Sequence, residues 1–230
     1  MTSPLVEVAP GTVVIYSDIG CPWAHAAVWR LWDARRQLGL DEQVRFDHRV
    51  FPLELFNSQA TPRNELEPEI PVCSSLAPRA GWQPWNGPNW EYPVTMLPPM
   101  EAVQAAKEQG LAVSEALDRG LRRAFWGESR CVSLRHVILE VASQTDGLDL
   151  ARLAAALDSG RARVAIFEQW EVAKTDAVQG SPHLFVHDGT NAQNPGLEVD
   201  WREEPEGVWV PTVVRDDAYA YYDLLRRAAT

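Results

Sequence analysis

Cysteine is scarce and scattered in this chain. Its 230 residues include three, Cys21, Cys73 and Cys131, an odd count at wide spacing. That argues against a disulfide framework and for a reducing compartment, so the expected location is the cytoplasm. Lysine is scarcer still, with Lys107 and Lys174 alone, and the formal charge is -11. A surface of that sign repels polyphosphates and anionic lipid, which argues against nucleic acid or a membrane surface as partner. No apolar run approaches the ~20 residues of a bilayer span. Residues 1–11 lack the basic start and long apolar stretch of a secretory signal. The five histidines and three cysteines show no zinc-type spacing, so no metal is expected.

What is present is ordinary globular composition, 46% apolar and 23% charged, in a chain long enough for a full core. Residues 12–17 (TVVIYS) form a continuous apolar, β-branched run, the pattern of a strand covered on both faces. A short turn, 18–20, leads to Cys21-Pro22, and apolar residues at helical spacing continue to Gly39, a natural stop. Val44, Phe46, His48 and Val50 then alternate with charged residues, as in a strand with one buried face. His48 reads there as a satisfied core residue. The unit is β-α-β with a parallel crossover.

From about residue 56 to 100 periodicity fades and proline accumulates. Residues 78–99 hold six prolines with Trp82, Trp85 and Trp90, a loop that serves either as a lid or as packing for the insert. Helical patterns follow at about 101–109, 114–126, 133–145 and 148–158, and another at about 161–177. Gly180-Ser181-Pro182 precedes a strand at 183–186 and a turn at Asp188-Gly189. Residues 190–215 are poorly defined, and a closing helix is expected over 216–228. The order is β-α-β, helical insertion, α-β-β-α: an α/β chain with a core at 11–56 and 160–230 and a mainly helical insertion at 57–159.

Cys21 stands where a central strand gives way to a helix N-terminus. Unpaired N–H groups and the helix dipole favour thiolate there, so Cys21 is expected to be the readiest of the three cysteines to ionise. His25, one helical turn on, would add to that effect if protonated. The segment YSDIGCPWAHAAV resembles the active-site segment of the DsbA-like thioredoxin-fold family, which includes FrnE-like oxidoreductases, hydroxychromene-carboxylate isomerases and kappa-class glutathione transferases. VQGSPHLFVHDG resembles that family's cis-proline segment, and FWGESRCVSLRHVILEVA and EYPVTMLPPMEAVQAA are loosely similar to two further segments. The resemblance implies a thioredoxin fold and a cis bond between Ser181 and Pro182 facing Cys21. It implies a binding site from Pro22, Trp23, His25, Ser181, Pro182, His183 and Asn194, and it allows a homodimer.

The departure from the family pattern is Ala24. Dithiol relatives carry Cys-x-x-Cys, and the second thiol expels the substrate from a mixed disulfide; here the motif is Cys21-Pro22-Trp23-Ala24. Either a low-molecular-weight thiol resolves Cys21, or another cysteine does, or the chemistry is not redox at all. Cys131 is the candidate second thiol, because its segment resembles one that approaches the site in relatives. Asn194 falls where relatives often carry an acidic residue against the amino end of glutathione, which leaves room for mycothiol. The expected function is a monothiol oxidoreductase acting on small or protein disulfides, with no tightly bound cofactor. The alternatives are a thiol-dependent transferase or isomerase, and a binding module without turnover.

Overall fold

A computed structural model describes residues 6–205, 207 and 209–230. Residues 1–5, which begin the segment read as lacking a secretory signal, lie outside the described residues. Strand β1 (Thr12–Ser17) is buried along its whole length, as a run without polar alternation requires. Helix α1 (Pro22–Leu38) starts with proline, whose missing N–H has no partner in a first turn. It ends at Gly39, in the left-handed region with its N–H on the carbonyls of Arg35 and Arg36. Strand β2 (Arg45–Val50) alternates buried and half-buried residues and pairs in parallel with β1. Strands β3 (His183–Phe185) and β4 (Asn191–Gln193) complete an antiparallel edge, giving the order β2-β1-β3-β4.

The connection from β2 to β3 is helical: α2 (Leu53–Asn57), α3 (Arg63–Leu66), α4 (Ile70–Leu76), α5 (Leu97–Ala106), α6 (Leu111–Glu128), α7 (Arg135–Ser143), α8 (Leu150–Ser159) and α9 (Arg163–Ala173). The first of these runs into the stretch that reads as aperiodic, and the next two lie within it. Each is shorter than two turns of amphipathic pattern, and each begins at or next to a proline. The insertion has its own core around Met100, Leu117, Leu121, Phe125 and Ile138, and Ile19 and Val50 of the sheet region belong to the same cluster. A second cluster of Val28, Leu31, Phe46, Leu184 and Leu225 lies between the sheet, α1 and α10 (Tyr219–Ala228).

The stretch expected to be poorly defined is a hairpin. After β4, strands β5 (Leu197–Glu203) and β6 (Trp209–Asp216) pair antiparallel as a separate sheet. Their side chains are mostly exposed, so no apolar face marks them in the sequence. The closing helix therefore begins at Tyr219 and not at 216. At the base of the hairpin Gly196 has φ +70, and a Cβ there would lie 2.0 Å from the Asp217 carbonyl oxygen, so only glycine fits.

Candidate functional site

Cys21 caps α1 in extended backbone, held by its N–H on the Asp18 carbonyl. Its Sγ donates to the Ser181 carbonyl oxygen at 3.2 Å, and the Ser181–Pro182 peptide is cis. The Ser181 hydroxyl oxygen accepts the Asp18 N–H at 2.9 Å, which joins the β1 turn to the proline segment a second time. Pro22 and Trp23 are buried in the first turn of α1, and the Trp23 indole N–H donates to Glu69. Trp201 of the hairpin meets Trp23 edge-on, with centroids 5.9 Å apart.

The turn itself is gripped by the insertion. Arg122 on α6 donates to the Asp18 carbonyl at 2.9 Å and to the Ser17 hydroxyl at 2.8 Å while pairing with Asp118 at 2.7 Å. The Trp126 indole N–H donates to the Ile19 carbonyl at 2.9 Å. The Asp18 carboxylate accepts the Gly20 and Leu53 N–H groups at 2.7 and 2.9 Å. Burial nevertheless pushes the Asp18 carboxyl up to about 6, against those bonds and the charge of Arg122.

Cys21 is 4% exposed, and this reverses the expectation of a thiolate. Burial drives its thiol up to about 12; the Ser181 side chain and the Ala24 N–H oppose that, and the charges of Glu69 and Asp18 add to it. A helix dipole contributes a fraction of a charge, too little to offset removal of water from the sulfur. The covering comes from α4 and the hairpin: Cys21, Trp23, Ala24, Ala26, Cys73 and Ala77 form one cluster, with Leu197 and Val199 packed against it.

His25 supplies no positive charge either. It is 4% exposed, edge-on to Trp82 and stacked on Trp126, with Nε2 at 3.2 Å from the Gly81 carbonyl oxygen. Burial, with the charge of Arg122, pushes it down to about 3, so it stays neutral. His183 is buried in β3: its Nδ1 accepts the Gln179 N–H at 3.1 Å, so Nε2 donates to Asn191 at 3.0 Å. Its ring packs beside Phe185 and holds the loop before the proline. Asn194 takes a left-handed conformation, donates its N–H to the Pro182 carbonyl at 3.1 Å and accepts from Leu197 at 2.9 Å, so it forms the turn into the hairpin. His48 is buried, but neither ring nitrogen has a hydrogen-bond partner, and Asp118 lies at 3.5 Å. It is not the satisfied core residue its strand position suggests.

Of the other thiols, the structure brings Cys73 into the Cys21 cluster; Cys131 packs against the separate core of the insertion. Glu69 and Cys73 stand four residues apart, at and just beyond the start of α4, and so share a face. Burial pushes Glu69 up to about 7 despite the bond from Trp23, with Glu65 adding. The Pro/Trp segment is packing: Gln83 N–H donates to the Trp126 carbonyl at 2.8 Å, and Trp85 is buried against Tyr92 and Phe125. A cavity of about 340 Å³ lies beyond it between α1 and α6, lined by Trp29, Trp32, Arg79 and Arg119, and Cys21 does not line it. Among the described residues no cluster of acidic, histidine and cysteine side chains has metal-binding form, and no helix is long and apolar enough to cross a membrane.

No family model matches the sequence, and no curated protein matches it. Solved structures do. Cytosolic disulfide reductase DsbM from Pseudomonas aeruginosa aligns over 95% of both chains at 18% identity, with a TM-score of 0.57, and was also solved with GSH. A "probable DsbA oxidoreductase" from Streptomyces coelicolor aligns over 94% of this chain and 89% of its own at 18% identity, TM-score 0.65. A 2-hydroxychromene-2-carboxylate isomerase aligns over 79% and 87%, again at 18% identity, with a TM-score of 0.57.

Proposed function

From a thioredoxin fold of the DsbA-like kind, we propose a thiol oxidoreductase that carries one half of a disulfide substrate on Cys21. The observation that carries this reading is the Cys21 sulfur at a helix N-terminus, 3.2 Å from the carbonyl that precedes a cis proline. The cycle begins when the Cys21 proton leaves and Sγ attacks a disulfide, expelling one thiol and keeping the other. Position 24 is alanine and cannot resolve that mixed disulfide, so the electrons that reset the site come from a low-molecular-weight thiol, glutathione or mycothiol. The protonated, covered state of Cys21 makes it a resting form. Substrate entry displaces α4 or the hairpin and returns water to the sulfur, which lowers its pKa. A cytosolic location and soluble small-molecule partners fit the free thiols and acidic surface.

The test is exposure of the reduced protein to a panel of small disulfides, read by intact mass. One adduct per chain as the first product, absent from Cys21→Ser, is the expected result; a chain that forms neither an adduct nor a disulfide under any of them contradicts the reading. A second reading, a thiol-dependent isomerase or transferase on a small electrophile, is favoured by one observation. A neutral thiol in an apolar enclosure with Ala24 beside it is better suited to holding an organic substrate than to cycling between dithiol and disulfide.

A further inference from the structure

Resting on the oxidoreductase reading, we infer that Cys73 is the resolving thiol of this site, occupying from α4 the role that position 24 has lost. Three observations place it there. Cys73 is wholly buried and belongs, with Cys21 and Ala24, to one cluster of packed side chains. The start of α4 is fixed over the first turn of α1 by the bond from the Trp23 indole to Glu69, one helical turn before Cys73. No other cysteine shares that cluster, since Cys131 packs elsewhere. The titration behaviour agrees: after burial, the largest influence on the Cys73 thiol is the charge of Cys21, ahead of Glu69. The Cys73 sulfur therefore feels a charge on Cys21 more strongly than one on Glu69.

The chemistry balances without an added oxidant. With substrate bound as Cys21–S–S–R, the sulfur to be attacked lies in the same cluster as the Cys73 thiol. Cys73 gives its proton to Glu69, the carboxyl whose charge acts on both sulfurs. Its Sγ attacks the Cys21 sulfur, the Cys21–S–S–R bond breaks, and R–S⁻ leaves and takes a proton. The products are a Cys21–Cys73 disulfide and R–SH. Attack at the Cys21 sulfur expels R–S⁻, a leaving group with an ordinary thiol pKa of about 8.5, whereas attack at the R sulfur would have to expel the poorer Cys21. Two equivalents of a low-molecular-weight thiol then reduce the internal disulfide and are themselves oxidised.

The experiment uses the full chain and 2-hydroxyethyl disulfide as probe, followed by intact mass and peptide mapping. In the wild type the adduct should be transient and give way to a species 2 Da lighter than the reduced protein, with the Cys21 and Cys73 peptides linked. In Cys73→Ala, and in Cys73→Ser if alanine fails to fold, the adduct should persist at least tenfold longer, while Cys131→Ser behaves as the wild type. An adduct as long-lived in the wild type as in the Cys73 variants, or a link between Cys21 and Cys131, overturns the inference and leaves the oxidoreductase reading intact. Absence of any adduct in every chain removes that reading, and the inference with it.

Discussion

Two halves of the molecule meet over Cys21, and they contribute different things. The sheet half supplies the reacting atom and its frame: β1, the first turn of α1 and the Ser181–Pro182 segment, tied by the Asp18 N–H on the Ser181 hydroxyl and the Cys21 thiol on the Ser181 carbonyl. The inserted half supplies what governs the charge of that atom: the apolar cover and Cys73 from α4, the Glu69 carboxyl, and the Arg122 and Trp126 donors from α6. The comparison teaches that a site can keep its frame and still have its protonation set from elsewhere. A thiolate favoured by the helix N-terminus alone becomes a thiol once α4 of the insertion, with the hairpin, removes water.

The largest expected effect comes from cutting the tie between the halves. Arg122→Ala leaves Asp118 as an uncompensated buried charge and strips donors from Ser17 and Asp18. Urea unfolding should show a loss of about 3–5 kcal/mol; a loss under 1 kcal/mol would mean that the insertion does not grip the turn. Next is the pH dependence of stability. The folded Asp18 carboxyl binds its proton up to about pH 6, against an ordinary 3.8. The stability it contributes is full below pH 3.8 and is lost as pH rises through 6, by about 3 kcal/mol. Unfolding titrations of wild type and Asp18→Asn between pH 4 and 7 isolate that slope; identical slopes would contradict the burial argument.

A smaller effect separates the cover from the frame. Glu69→Gln removes a negative charge that acts on Cys21 and keeps an amide oxygen to accept the Trp23 indole N–H. Above pH 7, where Glu69 is ionised, Cys21 alkylation in a chain lacking the other two cysteines should rise about threefold to tenfold, since each tenfold is one pKa unit. At pH 5, where Glu69 is already protonated, the two chains should react alike. The smallest effect is a control within the insertion. Trp90 is 85% exposed, so Trp90→Ala should change stability by no more than about 0.5 kcal/mol.

The same division marks what the sequence disclosed. The all-apolar run of β1, the alternation of β2, the Cys21-Pro22 helix start and the Gly39 stop are local patterns, and local patterns are what a sequence displays. Those elements of the frame were readable for that reason, whereas Ser181-Pro182 opposite Cys21 was expected only from the resemblance of VQGSPHLFVHDG to a family segment. Glu69 and Cys73 were hidden in EPEIPVCSS, where prolines mask a helix too short to show its period. The neutrality of His25 depends on Trp82 and Trp126, 57 and 101 residues away in the chain, and no spacing within α1 could reveal them. His183 spends both ring nitrogens on the loop and strand around Pro182, and Asn194 uses its backbone N–H and C=O for the turn after it.

The most direct test of the account is the titration of Cys21 itself, followed by thiolate absorbance at 240 nm in a Cys73→Ser, Cys131→Ser chain without substrate. The covered sulfur should yield no thiolate signal from pH 5 to 9, because burial has pushed its thiol up to about 12. A midpoint between pH 4 and 7 would mean that the helix N-terminus wins over burial, and that the insertion does not govern the charge of the site.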